Sequence, residues 1–380
     1  MNQLHPVEIP FTDLYQQYEE CQLEIDEAFQ ETIRKSDFLT GPTVDRFEKN
    51  IAKYTGAEEC ASMSSGSMAL VCALRAVGIE PGDEVMTTGH TFCATTEAIL
   101  GVGAIPMFVD IDEFYHMDVK QMRKVSGHKD MVSPKLKAIL FVDLYGQTPD
   151  IDKIKAFAKE FNLKVIEDAA QSFGSDYKGK KVGSLVDLTC FSFNPLKNLG
   201  AMGDAGAVTG KKEYIDKVKI LRNHGRGENG CSWNVVGYNG RIDNLQASIL
   251  EKKLGKVDGW IEGKRDVAKR YTEALNGIVA TPLETPWSKH TYYVYVIMAQ
   301  DRDGLKKFLS SRGIETKIHY AKSTVGKNIK SMFIDVPKTR NVVDMVLSLP
   351  CYHNLPEHHQ DRVINTIKEY YNEGETKHGV

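Results

Sequence analysis

Lys164-Val165-Ile166-Glu167-Asp168-Ala169-Ala170-Gln171 is a short apolar run that stops on two carboxylates and passes into small residues. Similar runs lie on both sides of it: Glu84-Val-Met-Thr87, Ile105-Pro-Met-Phe-Val109, Ala138-Ile-Leu-Phe-Val142, Leu188-Thr-Cys-Phe-Ser-Phe193 and Gly206-Ala-Val-Thr209. Helical patterns separate several of them, over residues 66–77, 95–100 and 151–161. Strands alternating with helices predict an α/β fold, a mainly parallel sheet covered on both faces. Upstream, residues 14–36 read as one helix, and a second follows Thr43 as its N-cap.

The last third has another character. A charged helical stretch runs from about residue 241 to 275, then a strand-like 292–298, an amphipathic helix over 303–311 and a C-terminal helix over 357–371. We therefore expect a large domain, 1–255, and a smaller C-terminal α+β domain, 256–380.

Bulk properties set further bounds. The 380 residues are 42% hydrophobic and 26% charged, with 48 basic and 51 acidic side chains, so no basic excess points to nucleic acid. Residues 1–13 carry Glu8 and Asp13 and no apolar run, unlike a signal peptide, and the apolar stretches are too short to cross a membrane. The cysteines at 21, 60, 72, 93, 190, 231 and 351 form no C-x-x-C pair, which predicts reduced thiols, no metal site and a cytoplasmic setting.

In an open parallel sheet, ligands sit beyond the carboxyl ends of the strands. Four such ends carry chemistry. Ser64-Ser65-Gly66-Ser67 precedes a helix, which suits either a phosphate or an ordinary serine cap. Asp168, at a buried strand end, would seek a cation, whether a protonated ring nitrogen or a structural partner. Phe191-Ser192-Phe193-Asn194-Pro195-Leu196-Lys197-Asn198-Leu199-Gly200 sets a lysine just past an apolar strand. Partial burial would free its amine for imine formation, though most lysines are simply solvated. In Thr91-Phe92-Cys93-Ala94-Thr95, Phe92 could stack on a flat ring or serve the core.

Taken together, these blocks resemble the DegT-type (DegT/StrS) sugar aminotransferases, a branch of the fold-type-I pyridoxal-phosphate enzymes. The resemblance begins at Phe11-Thr-Asp-Leu and Gly41-Pro-Thr-Val-Asp-Arg-Phe-Glu48. It runs through the blocks above, Leu144-Tyr-Gly-Gln147, Glu167-Asp-Ala-Ala-Gln-Ser172 and Tyr177-Lys-Gly-Lys180. Asn223-His-Gly225, Tyr238-Asn-Gly-Arg-Ile-Asp-Asn-Leu-Gln-Ala247, His319-Tyr320 and Ser348-Leu-Pro350 complete it.

It implies a seven-stranded-type mixed sheet between helices, pyridoxal 5′-phosphate as cofactor, and the following roles. Lys197 would hold the cofactor as a Schiff base and move the substrate's proton. Asp168 would pair with the ring nitrogen, Gln171 would contact the ring hydroxyl side, and Phe92 would stack on the ring. Ser65, Gly66, Ser67 and Ser192 would hold the phosphate, with Asn239 from a neighbouring subunit, which implies a homodimer with shared active sites. Arg241, His319 and Tyr320 fall where substrate is faced. Three positions depart from the pattern: Asp143 stands where many relatives have histidine, Ala205 where a second glycine is usual, and Phe92 where tryptophan or tyrosine is common.

The reaction implied moves an amino group from L-glutamate to a keto sugar, a nucleotide-linked one. The segment after Lys197 looks more like relatives that aminate C3 than those acting at C4 of a 4-keto-6-deoxy nucleotide sugar. Some sugar dehydratases of this fold replace the lysine with histidine and others need an iron–sulfur cluster, for which no clustered cysteines exist here; loss of Lys197 or Asp168 would have supported a non-catalytic regulator, and both are present. Gly101-Val-Gly103-Ala-Ile-Pro106 lacks the third glycine of a dinucleotide loop, no P-loop occurs, and the eleven histidines include no H-E-x-x-H.

Overall fold

The computed structural model describes residues 7–126, 133–227, 235–325 and 335–377; Cys231 lies outside them. Helices α1 (Leu14–Glu19), α2 (Gln22–Lys35) and α3 (Pro42–Thr55) lead into β1 (Glu59–Met63) and α4 (Gly66–Ala76). The alternating part follows: β2 (Glu84–Thr88), α5 (Cys93–Gly101), β3 (Ile105–Val109), α6 (Val119–Ser126), β4 (Leu136–Val142), α7 (Ile151–Phe161) and β5 (Lys164–Asp168). A two-stranded hairpin, β6 (Asp176–Tyr177) and β7 (Lys180–Lys181), precedes β8 (Leu188–Ser192), β9 (Gly206–Gly210) and α8 (Lys212–Leu221). Beyond lie α9 (Asn244–Leu254), α10 (Val257–Leu275), β10 (Tyr295–Met298), α11 (Arg302–Ser311), α12 (Pro337–Met345), β11 (Val346–Leu349) and α13 (Glu357–Lys377).

Seven strands form one sheet in the order β1-β9-β8-β5-β4-β2-β3. The pairs β3/β2, β2/β4, β4/β5 and β5/β8 are parallel, while β9 runs antiparallel to both β8 and β1. This is the mixed, mainly parallel sheet expected. It reads as near-continuous apolar runs because both faces are covered. One face packs Leu70, Leu74, Ile99 and Val218 from α4, α5 and α8; the other packs Phe47, Ile51, Phe157 and Ile261 from α3, α7 and α10. A second body of core gathers Tyr271, Tyr295, Leu305, Leu347 and Val363 around the pair β10/β11. Ile9 also packs there, its backbone bridged to Ile314.

Four expectations are corrected. Residues 14–36 are two helices, because Glu20 carries its backbone carbonyl to Lys256 Nζ at 2.6 Å and its carboxylate to Trp260 Nε1 at 2.6 Å. These tertiary bonds take a group that a continuous helix would have used. The next helix begins at Pro42 with Gly41 as its cap, so Thr43 lies inside the first turn, where the fixed φ of proline suits the start. The stretch 241–275 breaks between α9 and α10 at Gly255-Lys256, glycine being a poor helix former. The strand over 292–298 starts only at Tyr295, since Tyr292 takes the left-handed φ of 46° while its N–H donates to His290 Nδ1 at 2.9 Å.

Candidate active site

β5 places Asp168 at its carboxyl end, beside the backbone of β4, where Asp143 N donates to Asp168 O at 3.1 Å. The side chain is buried. Its Oδ2 accepts from Thr95 Oγ1 at 2.7 Å, and its Oδ1 from Ala170 N at 3.2 Å. Thr91 Oγ1 lies 2.9 Å from Thr95 Oγ1, so two hydroxyls at the start of α5 back the carboxylate. Burial pushes the Asp168 carboxyl up from its ordinary value; the Thr95 and Ala170 bonds and the charge of Lys197 pull it back. A buried carboxylate in that state favours a cationic partner.

Lys197 stands on the loop after β8. That loop is tight: Lys197 N donates to Asn194 O at 2.8 Å, Ala201 N to Phe193 O at 2.8 Å, and a Cβ on Gly200 would meet Pro195 O at 2.4 Å. The half-buried amine sits 4.2 Å from the centre of the Tyr293 ring. Its charge is felt by Asp168 and His319 alike, so the loops after β5 and β8 and the segment at 319 meet around it.

The start of α4 closes another side. Ser65 is the N-cap, its side chain accepting from Met68 N at 3.1 Å. Gly66 lies against the end of β8, where a Cβ would come within 2.7 Å of Ser192 Cβ. Ser65, Gly66 and Ser192 are thus brought together. Ser67 is exposed on the first turn.

Gln171 joins the segment after β4 to that at 320. Its Oε1 accepts from Tyr145 N at 2.8 Å and its Nε2 donates to Tyr320 OH at 2.9 Å. The Tyr145 hydroxyl donates to the His319 carbonyl and meets His90 Nε2 at 2.7 Å. Phe92, half exposed as the cap of α5, has its ring 5.6 Å from that of Tyr320. Burial holds His319 down to about 4, helped by Lys197 and Lys317, so its imidazole is neutral near pH 7, with Nδ1 2.8 Å from Ser348 Oγ.

Asn239 and Arg241 form a separate group. Asn239 is exposed and its Oδ1 accepts from Arg241 at 3.3 Å; Arg241 also donates to Asn223 Oδ1 at 2.9 Å. Gly240 between them accepts from Ser64 N at 2.8 Å, which ties this loop to the start of α4. Arg241, Lys219 and Arg222 line a cavity of about 170 Å³. A hollow of about 780 Å³ at the amino end of β5, near Lys155, Val165 and Asp187, holds none of the expected site residues.

Several residues here were not singled out from sequence: Thr91, Thr95, Tyr145, Tyr293 and Lys264; Asp143 stood out only as a departure from the family pattern, not as one of a carboxyl pair with Glu167. Thr91 and Thr95 carried a signal, two hydroxyls four apart at a helix start. Asp143 and Glu167 are fully buried, bonded respectively by Ser172 Oγ at 2.6 Å and Thr189 Oγ1 at 2.7 Å. Burial raises both; the charge of Glu167 adds to the rise at Asp143, while a bond from Asp143 draws Glu167 back down.

Comparison with known proteins gives a consistent result. The model of the DegT/DnrJ/EryC1/StrS aminotransferase family matches residues 19–368. The chain is 39% identical over 376 residues to a "Pleiotropic regulatory protein" of Geobacillus stearothermophilus, covering 96% of this chain and 98% of that one. It is 36% identical over 373 residues to a UDP-N-acetyl-3-dehydro-alpha-D-glucosamine 3-aminotransferase of Acidithiobacillus ferrooxidans, covering 95% and 97%. The crystal structure of DesV from S. venezuelae, solved with a ketimine intermediate, superposes with a TM-score of 0.91 at 32% identity, covering 97% of this chain and 99% of that one.

Proposed function

The chain belongs to the DegT/DnrJ/EryC1/StrS aminotransferase family, and from that premise we propose that it is a pyridoxal-phosphate enzyme moving an amino group from L-glutamate to a nucleotide-linked 3-keto sugar. The observation that carries this reading is that two different strand ends bring the Lys197 amine within electrostatic reach of the buried Asp168 carboxylate.

Two features fit the cofactor. Among the described residues the buried Asp168 carboxylate is bonded by one hydroxyl and one backbone N–H, which suits a cationic ring nitrogen. At Gly66 the backbone lies so close to Ser192 that no side chain fits, beside a helix start that favours a phosphate. When bound, pyridoxal phosphate supplies an electron-accepting ring for the charge that develops at the carbon next to nitrogen.

In this reading Lys197 holds the cofactor through its amine and, once released, carries a proton at the reacting carbon. Asp168 holds the ring nitrogen protonated, with Thr95 holding Asp168. Ser65, Gly66, Ser67 and Ser192 bind the phosphate, Gln171 sits on the ring hydroxyl side, and Phe92 covers the ring. Asn239 completes the phosphate site from the second subunit of a homodimer. Arg241, His319 and Tyr320 face substrate. A keto sugar at C3 is favoured over C4 by the segment after Lys197 and by the 3-aminotransferase named among the relatives. Six cysteines are free thiols, which fits the cytoplasm, and among the described residues no helix is long and apolar enough to cross a membrane.

The regulator reading draws on the relative named for regulation. Retention of both Lys197 and Asp168 argues for turnover instead. The visible spectrum of the purified protein tests the proposal. A yellow band that L-glutamate bleaches, with no sugar present, is expected. A yellow band untouched by glutamate would point to another donor or to dehydration, and failure to reconstitute with pyridoxal phosphate would overturn the proposal.

A further inference from the structure

Lys264 lies on α10 with its side chain buried. Its Nζ donates to Asn198 Oδ1 at 3.0 Å, and among the described residues no carboxylate pairs with it. Asn198 is the neighbour of Lys197 in the chain, and its own Nδ2 is fixed by Phe173 O at 3.1 Å. The amide therefore presents its oxygen to Lys264 and cannot turn without losing a second bond.

The titratable and charged groups around this amine are few. Lys197 faces it from the loop after β8, and Cys351 and His353 from the segment after β11. Tyr293 and His319 lie across a cavity of about 20 Å³ whose walls also include Leu196 and Cys351. That is room for about one water-sized molecule. Burial lowers the Lys264 amine to about 8, with Cys351 opposing and the Lys197 charge adding to the fall. Near neutrality the amine keeps its proton, and among the described residues the positive charge is met by an amide oxygen.

Two positive charges close together repel. Lys197 acts electrostatically on both the Asp168 carboxylate and the Lys264 amine. We propose that Lys264 is a positioning residue for Lys197: its buried charge, coupled through Asn198, disfavours a positive charge on the Lys197 nitrogen and so eases proton release from that nitrogen when the cofactor is attached. The inference rests on Lys197 as the cofactor lysine and adds a second cation to that site.

The readout is the midpoint of the pH-dependent change in the visible band of the reconstituted protein, which follows the Lys197 nitrogen directly and needs no turnover. Lys264→Met removes the charge at similar volume. Lys264→Gln removes the charge and keeps an amide donor, so a loss of bonding is separated from a loss of charge. Both should raise the midpoint by about one pH unit, the lower end of what a neighbouring charge does. Lys264→Arg keeps the charge and should stay at the wild-type midpoint.

A folded, coloured Lys264→Met or Lys264→Gln protein with an unmoved midpoint overturns the inference while leaving the cofactor assignment intact. So does a shift in Lys264→Arg equal to that in Lys264→Met, because packing would then be the cause. A wild-type protein that takes up no pyridoxal phosphate overturns the inference together with the function it rests on. Should Lys264→Met fail to fold, the outcome with Lys264→Gln decides alone.

Discussion

Thr95 donates its hydroxyl to Asp168 Oδ2 at 2.7 Å, which ties the start of α5 to the end of the central strand β5. The acceptor is a buried carboxylate, so the bond belongs to the stronger, charge-assisted kind. Thr95→Val removes the donor and leaves Thr91 without its hydroxyl neighbour. The expected loss is about 1.5–3 kcal/mol in the glutamate half-reaction, a fall of roughly ten- to 150-fold. Thr95→Ser should retain most of the rate. A Val variant as fast as wild type would show that the bond plays no part in turnover.

Lys197→Ala should abolish transamination and leave the fold intact. The amine is half buried above the Tyr293 ring, a contact worth about 0.5–1 kcal/mol at a partly exposed site. Losing it costs little stability, so the melting temperature should move by only a few degrees while turnover disappears. Wild-type turnover in this variant would remove the basis for the active site.

Gly66 leaves no room for a side chain, since a Cβ would sit 2.7 Å from Ser192 Cβ. Gly66→Ala must push α4 away from the end of β8. Overpacking of this kind costs about 1–3 kcal/mol. If the phosphate lies between these two elements, the cost appears in cofactor retention, read as the dissociation constant for pyridoxal phosphate. Ala73→Gly, on the same helix but in the apolar core, should destabilise the helix and leave cofactor affinity per folded molecule unchanged.

Asn239 is exposed on its own chain, next to a backbone link between Gly240 and Ser64. Asn239→Ala should weaken pyridoxal-phosphate retention. Mixing decides which chain it serves. An inactive Lys197→Ala subunit paired with an Asn239→Ala subunit rebuilds one intact site only if the asparagine crosses between subunits. Activity restored on mixing supports shared sites; no restoration above the sum of the two variants places Asn239 in its own chain's site.

Much of this was legible in sequence because strand ends are local features. Apolar runs bounded by polar residues gave β3 and α7 with the observed limits, 105–109 and 151–161, and Asp168 and Lys197 stood out as charges just past such runs. What was hidden depends on partners distant in the chain. Nothing near Glu20 marks a helix break, because the groups that cause it are Lys256 and Trp260. Lys264 looks like any helical lysine until α10 is packed against the Lys197 loop. β1 and β11 were missed because Glu59-Cys-Ala-Ser-Met63 is a weak apolar run and Val346-Leu-Ser-Leu349 follows directly on a helix.

Glu20 also sets a pH dependence of stability. Burial pushes its carboxyl up, but bonds from Trp260, His353 and Asn354 outweigh this and leave it below the ordinary value. His353, 2.8 Å away, is itself lowered, mainly by burial and against the pull of Glu20, so near neutrality the contact is a neutral imidazole N–H donating to a carboxylate. Both groups are lowered in the fold, so both stabilise it at high pH and lose that effect on acidification. The His353 contribution begins to fade below its unfolded value of about 6.5, and that of Glu20 below about 4.3. Glu20→Gln should therefore lower the urea midpoint most clearly at pH 7, where the carboxylate accepts from three side chains. The gap to wild type should narrow by pH 3.5. A gap of equal size at both pH values would mean that the junction of α1 and α2 is held by packing, with the carboxylate charge contributing nothing.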